Sequence, residues 1–338
     1  MLLPKQYKRI VLHERPVAEI EPTTFRTEVL PFDLKPGNGE VLVQVTWLSL
    51  DPAMRGYIRD ARSYMPPVKI GATMRAQGLG VVVVVGPGSK FAAGDTVSGA
   101  FGMTEYAVMN DAHVEELIVP NGVQALDFVN TLGTPGLTAY IGLRNIGQIK
   151  PGETLVISGA AGSVGSIACQ LGKRAGAKVY AIAGSKDKCE WLEKEVGVDK
   201  AFNYKSPTFR QDFKKIGYLD VYFDNVGGDI LDMMLTRLNK GARIVLCGMA
   251  SFVSWLACYS IDRPDGLRNY QTIIAQRAKM QGFIVFDHVA EYPAAIQELA
   301  NGLIDGSIKR KFHVVEGGIE QAPVALPLLF SGGNTGKL

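Results

Sequence analysis

From residue 153 to residue 285 the sequence repeats one pattern: a short, almost wholly apolar run, then a stretch with helical periodicity, then the next apolar run. "ETLVISG" is followed by "SVGSIACQLGKRAG" and "KVYAIAG" by "KDKCEWLEKEVG", and "KAFNY", "DVYFDNVG", "ARIVLCGM" and "MQGFIV" continue the series. A strand without polar alternation has to be covered on both faces. Helices between successive strands give that cover, so the pattern predicts an α/β fold with a doubly wound parallel sheet over residues 126–305. The text before it is different. "EVLVQVTWLSL", "GLGVVVVVG" and "GDTVSGAFGMTEYAVM" are Val-rich runs punctuated by Gly, Pro and Asn, which predicts a β-barrel or sandwich domain over residues 1–125. After Gly306 there is room for one more strand and a short helix, too little to bury a core alone, and residues 306–338 are expected to complete the first domain.

Two domains suit a chain of 338 residues, and 47% apolar with 20% charged residues is a core-forming composition. A formal charge of +3 without a basic tail does not call for nucleic acid and suits a small anionic molecule. The four cysteines, Cys169, Cys189, Cys247 and Cys258, are widely spaced and form no C-x-x-C pair. That speaks against a zinc knuckle or a disulfide framework and fits a reducing cytosol. The opening "MLLPKQYKRIVL" lacks the apolar core of a signal peptide, and the longest apolar run, residues 78–86, is too short to span a bilayer, so no membrane partner is expected.

The loop "ISGAAGSVGS" follows a strand and opens a helix, with Gly159, Gly162 and Gly165 spaced by threes. Such a trio can be purely structural. Inside a βαβ unit it also provides a tight turn, a bare backbone that can approach a pyrophosphate, and helix N-terminal amides to hold its charge, so the loop predicts a dinucleotide site. At the tip of the next strand, where an NAD-selective site offers Asp or Glu to the ribose hydroxyls, this chain reads "AGSKDK", with Gly184, Ser185, Lys186 and Lys188. An ammonium and a hydroxyl there would pair with the 2′-phosphate of NADP, which a carboxylate would repel. Asp187 is the one residue that runs against this reading, and its direction decides how much it counts.

The strings "LSLDPAMRGYI" (48–58), "TLGTPGLTAYIGL" (131–143), "GETLVISGAAGSVGS", "KAFNYKS" (200–206), "VYFDNVGG" (221–228), "ARIVLCGM" (242–249), "MQGFIVFDH" (280–288) and "GGNTGKL" (332–338) occur in that order over nearly the whole chain. Together they resemble the zinc-independent medium-chain dehydrogenase/reductases, and within them the branch of leukotriene B4 dehydrogenase, prostaglandin reductase and alkenal double-bond reductases. The resemblance implies a GroES-like β-barrel beside a Rossmann domain, an active site in the cleft between them, NADPH as cofactor and a homodimer. Carried over by motif, Gly162, Ser163, Val164 and Gly165 would contact the pyrophosphate, and Gly184, Ser185, Lys188 and Tyr204 would take the adenosine 2′-phosphate end. Asn225, Cys247, Gly248, Met249, Phe283, Ile284, Val285 and Asn334 would line the rest of the cofactor. Tyr204 also reads as a strand-end core aromatic, and Phe283 to Val285 as a buried strand. Relatives continue for a further short strand beyond "GK".

Metal catalysis is not expected: His13, His113, His288 and His313 do not pair with the cysteines at ligand spacing. The chemistry that remains is conjugate hydride transfer to the β-carbon of an α,β-unsaturated carbonyl with protonation at the α-carbon, for which the protein orients the partners and stabilises an enolate oxygen. The substrate side departs from the family. Ala53 stands in "DPAMRGY" and Val253 in "ASFVSW" where relatives carry tyrosines, so a bulky or aromatic enone is expected. Tyr57 or Tyr259 is the candidate replacement as proton donor or carbonyl clamp, with water or the cofactor's ribose hydroxyl as the alternative relay. Asp51 reads as a helix N-cap, Arg55 as its anchor, and "KRKFH" (309–313) as a solvated strand face. Quinone reduction and a nucleotide-binding structural protein that has lost catalysis are the competing functions.

Overall fold

In the computed structural model, which describes residues 3–17, 19–248 and 266–338, the chain divides into two compact units. Met249, Val253, Trp255, Cys258 and Tyr259 lie outside the described residues. The first unit comprises Met1–Val129, Val314–Gly333 and Leu338; the second comprises Asn130–His313 and Asn334–Lys337.

In the first unit, β1 (Gln6–Leu12) and β2 (Phe25–Pro31) form an antiparallel pair. Strands β3 (Glu40–Ser49), β4 (Gln77–Val85), β5 (Thr96–Gly99), β6 (Tyr106–Asn110) and β7 (Val114–Glu116) form an antiparallel sheet in the order β6-β3-β4-β5-β7. Two register shifts between β3 and β4, at Leu42/Val43 and Val45/Trp47, bend the sheet into a half-barrel. The bridges Arg9↔Thr104 and Val11↔Thr73 tie β1 to it. Ile10, Leu12, Met54, Met74 and Met103 fill this core, and Leu326 and Leu338 join them from the C-terminal segment. That segment forms isolated bridges and short helices, not the further strand that the sequence suggests. The turn at Asp51 also differs from expectation. Helix α1 (Met54–Tyr57) is preceded by Ala53 without a side-chain cap, and Asp51 accepts a 2.5 Å hydrogen bond from the Ser49 hydroxyl. Arg55 is buried at 4% exposure.

The second unit opens with α2 (Thr134–Ile141), which carries Pro135 in its first turn. Six strands follow: β8 (Thr154–Ile157), β9 (Lys178–Ala183), β10 (Lys200–Asn203), β11 (Leu219–Asp224), β12 (Leu238–Leu246) and β13 (Lys279–Gly282). They form one parallel sheet in the order β10-β9-β8-β11-β12-β13. The crossover helices are α3 (Ser163–Arg174), α4 (Lys186–Trp191), α5 (Phe209–Lys214), α6 (Gly228–Leu235) and α7 (Gln271–Gln276), and α8 (Tyr292–Ile304) follows the last strand. Helix α3 lies close on the sheet because Gly172 has no side chain: a Cβ there would stand 2.4 Å from Leu155 Cδ2. On the opposite layer Phe213, Leu231, Met234 and Leu235 pack against Val156, Ile182 and Tyr222. No helix among the described residues is long and apolar enough to cross a membrane.

Candidate functional site

Strand order reverses between β8 and β11: β9 and β10 extend the sheet one way, β11 to β13 the other. The carboxyl ends at such a switch point leave a crevice outside the sheet, where open α/β folds bind their ligands. The six strands of this unit give an edge of five inter-strand steps, about 24 Å at about 4.8 Å per step. With the exception of Asn334, the second unit's described site residues follow strand ends along this edge. A separate cavity of about 360 Å³, lined by Arg210, Lys214, Asp229, Asp232, Arg237 and Arg268, contains none of them.

At the end of β8 the chain turns through Gly159, whose φ of +57° lies in the left-handed region that favours glycine. Gly165 is fixed by packing, since a Cβ on it would stand 2.4 Å from Gly159 O and 2.7 Å from Ala160 Cα. Gly162 is different: its φ is −82° and a Cβ would meet only Gly159 O, at 3.3 Å. Packing presses on position 162 less than on 165, with one tight backbone contact, and its bare backbone at the start of α3 fits a phosphate that must come close. Ser163 donates a 2.6 Å hydrogen bond to Asn130 Oδ1, which anchors the loop to the segment before α2, and Val164 is half-buried. The C-terminal tail closes the other side, where Gly336 N donates to Ala161 O at 2.8 Å and the buried Asn334 donates to Gly336 O at 3.1 Å.

At the end of β9, Ser185 caps α4 by accepting from Lys188 N at 3.3 Å, which leaves its hydroxyl proton to donate. Lys188 is half-buried; burial lowers its pKa, and the like charge of Lys205 lowers it further. Asp187 and Lys186 lie exposed on the outer side of the turn. Tyr204, after β10, lays its ring over Gly184, where a Cβ would stand 3.0 Å from Cε1 and 3.3 Å from the phenol oxygen. Gly184, Ser185, Lys188, Tyr204 and Lys205 are thus one cluster with two ammonium groups, and its chemistry fits a dianionic phosphate.

Across the switch point, Asn225 donates from Nδ2 to Ser158 O at 2.8 Å and from its backbone to Ser158 Oγ at 3.0 Å. The amides of Cys247 and Gly248 both donate to Asp224 O, at 2.9 and 3.1 Å, which places the end of β12 against the end of β11. Burial pushes the Cys247 thiol up, and neighbouring Asp224 adds to the effect. Strand β13 ends at Gly282, so Phe283, Ile284 and Val285 lie beyond it, not within a strand. Phe283 and the buried Val285 pack with Leu137 and Ile141 of α2, and Phe283 also approaches the bare face of Gly142.

Tyr57 belongs to the first unit, at the end of α1. Burial raises its phenol pKa strongly, Tyr64 raises it further, and the Arg75 guanidinium stands 4.9 Å from its ring centroid. The structure therefore holds Tyr57 as a neutral phenol. Met249 and Tyr259 fall outside the described residues.

Two family models match the chain: one described as the N-terminal domain of oxidoreductase over residues 8–117, the other as zinc-binding dehydrogenase over residues 163–301. An NADPH-dependent curcumin reductase of Escherichia coli is 35% identical over 337 residues, covering 98% of this chain and 95% of that protein. A 2-alkenal reductase (NADP(+)-dependent) of Nicotiana tabacum is 35% identical over 305 residues, covering 89% of this chain and 87% of the tobacco protein. This chain is a zinc-independent medium-chain dehydrogenase/reductase. Among solved structures, that of CurA in complex with NADPH from Vibrio vulnificus superposes with a TM-score of 0.89 at 35% identity, over 98% of this chain and 97% of that one. Despite the wording of the second family model, no three His, Cys, Asp or Glu side chains converge as metal ligands among the described residues of this medium-chain reductase.

Sequence reasoning missed several parts of this reductase's site. Lys205 stood in the quoted "KAFNYKS" and needed only the recognition that the residue after Tyr204 shares its strand end. Asn130, and the approach of Gly336 to Ala161, join segments far apart in the chain, and no local pattern signals them. Ser158, Tyr222 and Asp224 stood inside the strings that were read for Gly159 and Asn225.

Proposed function

We propose that this protein reduces the C=C bond of α,β-unsaturated ketones and aldehydes with NADPH and without a metal. The observation that carries the cofactor is the paired Lys188 and Lys205 beside Ser185 and Tyr204, with Asp187 turned to solvent, at the strand end where a carboxylate would select NAD. When bound, NADPH supplies the hydride for the β-carbon. The backbone at Gly162 and the first turn of α3, with Ser163, Val164 and Gly165, hold the pyrophosphate; Gly184, Ser185, Lys188 and Tyr204 hold the adenosine 2′-phosphate end. Asn225, Cys247, Gly248, Phe283 to Val285 and Asn334 support the remaining half.

On the substrate side, Tyr57 stays protonated and is suited to donate a hydrogen bond to the carbonyl oxygen as charge builds there. Its raised pKa makes it a poorer acid, which favours the clamp over the proton donor and leaves the proton to water or the ribose hydroxyl. Ala53, exposed at the start of α1, leaves room where relatives carry a tyrosine, in keeping with a bulky or aromatic enone. The protein is also proposed to act as a homodimer through the β13 end of its parallel sheet.

NADPH and NADH oxidation measured side by side against an alkenal, a benzalacetone-type enone, a bulky aromatic enone and a quinone tests the reading. Turnover of an enone with clear NADPH preference is the expected result. NADH preference would overturn the cofactor assignment, and turnover of the quinone alone, with oxygen uptake from redox cycling, would overturn the reaction.

A further inference from the structure

Ser158, Tyr222 and Asp224 are 0%, 0% and 1% exposed, yet all three carry polar groups. They sit where β8 and β11 end side by side, on the two strands that flank the switch point. Asp224 Oδ1 accepts from Ser158 Oγ and Tyr222 OH, each at 2.8 Å, from Val226 N at 3.1 Å and from Gly227 N at 3.0 Å, and Oδ2 takes a second contact from Gly227 N at 3.1 Å. The two backbone amides can only donate, and the hydroxyls of Ser158 and Tyr222 complete the set, so the carboxyl group is fully bonded without water.

Strand pairing does not need this cluster. Val221, Tyr222 and Phe223 pair with Leu155, Val156 and Ile157, and apolar neighbours fill both faces. A buried carboxylate is costly unless fully bonded, and apolar replacements of such groups are often neutral or stabilising. The cluster's bonds instead converge on the turn that follows β11. Asp224 fixes the amides of Val226 and Gly227, and Ser158 Oγ, while donating to Asp224, accepts the amide of Asn225. The carbonyl of the same serine takes Asn225 Nδ2, which sets the orientation of that side-chain amide and leaves Oδ1 for a ligand donor. The lysine cradle lies beyond β8 on the other side of the switch point, after β9 and β10.

We propose that Ser158, Tyr222 and Asp224 form a positioning cluster that holds Asn225 and the Asn225–Gly227 turn in the geometry that binds the nicotinamide-ribose half of NADPH, independently of the cradle for the adenosine half. The inference rests on the NADPH reading above. It assigns Asp224 no contact with the cofactor: the carboxylate acts through the turn.

The test uses Ser158→Ala, Tyr222→Phe and Asp224→Asn in the full chain, with dissociation constants for NADPH and for 2′,5′-ADP, which engages only the adenosine end. Tyr222→Phe keeps the ring volume and guards against collapse of the core. NADPH affinity should fall about tenfold in each variant while 2′,5′-ADP affinity stays within about twofold of wild type. A parallel loss of both ligands in Tyr222→Phe would reduce the cluster to general scaffolding, and unchanged NADPH affinity in all three variants would remove its role altogether. Wild-type protein that binds neither ligand would refute the NADPH reading, and the positioning role with it.

Discussion

Two lysines held close together, one of them half-buried, are poorly placed in a protein without an anion to bind. The cost is visible in Lys188, whose pKa falls below the ordinary lysine value of 10.5 through burial first and the charge of Lys205 second. Between the lowered folded value and the unfolded one, the unfolded chain binds more protons, so stability of the ligand-free protein rises with pH through that window. Buried thiols and phenols such as Cys247 and Tyr222 shift the opposite way, so the gain is read as a difference: below pH 10.5 the stability of wild type relative to Lys188→Met should rise with pH in thermal unfolding, and a difference that stays constant would contradict the burial of the ammonium. On the proposed NADPH reading the same group would face a phosphate, and a charge-assisted bond of this kind contributes about 1.5–3 kcal/mol. Lys188→Ala should therefore raise KM for NADPH about 10- to 100-fold and leave KM for NADH within about twofold in steady-state assays. Equal losses with both cofactors would show that the lysine shapes the turn and does not read the phosphate.

At the scale of elements, the glycine loop separates two demands that the sequence presents as one. Gly165 is required by the contact of α3 with the Gly159 turn, whereas at Gly162 a Cβ would meet one backbone oxygen at 3.3 Å, a tight contact that a small shift relieves. Gly165→Ala should destabilise the fold by about 1–3 kcal/mol in urea unfolding, because backbone has to move to admit the methyl. Gly162→Ala should cost less stability than Gly165→Ala, about 1 kcal/mol or below, and still weaken NADPH binding, read by isothermal titration. If both substitutions act alike, the distinction fails. The contrast also marks what was legible beforehand. Strand after strand of the parallel sheet could be read from apolar runs, because burial on both faces leaves a local mark: "KAFNY" becomes β10 and "DVYFDNVG" becomes β11. The lysine cradle could be read because a charge that replaces an acid changes local chemistry. Positions set by long-range contact left no such mark. Phe283 looked like the middle of a strand until pairing with β12 was seen to stop at Gly282, and Asp51 looked like a cap until its carboxylate was found on Ser49. The Ser158–Asp224 cluster was hidden for the same reason, since the two residues are 66 positions apart.

For the whole molecule, the consequence of the sheet order is that two strands, β10 and β13, end the parallel sheet. An unpaired edge invites another strand, and natural proteins protect it with charge, proline or cover. On β10 that protection is present: Lys200 pairs with Glu193 at 3.1 Å, α5 packs against the strand, and the lysine cradle follows immediately. Strand β13, Lys279–Gly282, contains no proline and one charged residue, and just before it Ile274 on α7 is 77% exposed and Tyr270, the residue preceding α7, 57%. Exposed apolar side chains and a strand that ends the sheet among the described residues are what a self-complementary two-fold contact would cover, and pairing β13 with its copy would continue the sheet across the axis. Sedimentation equilibrium should accordingly give twice the 36.6 kDa chain mass. Ile274→Glu, which places a charge on this exposed helix face without entering the core, should shift the protein toward monomer and leave its far-UV circular dichroism unchanged. A wild-type monomer at micromolar concentration would remove the dimer, and a dimer indifferent to Ile274→Glu would move the interface to another face.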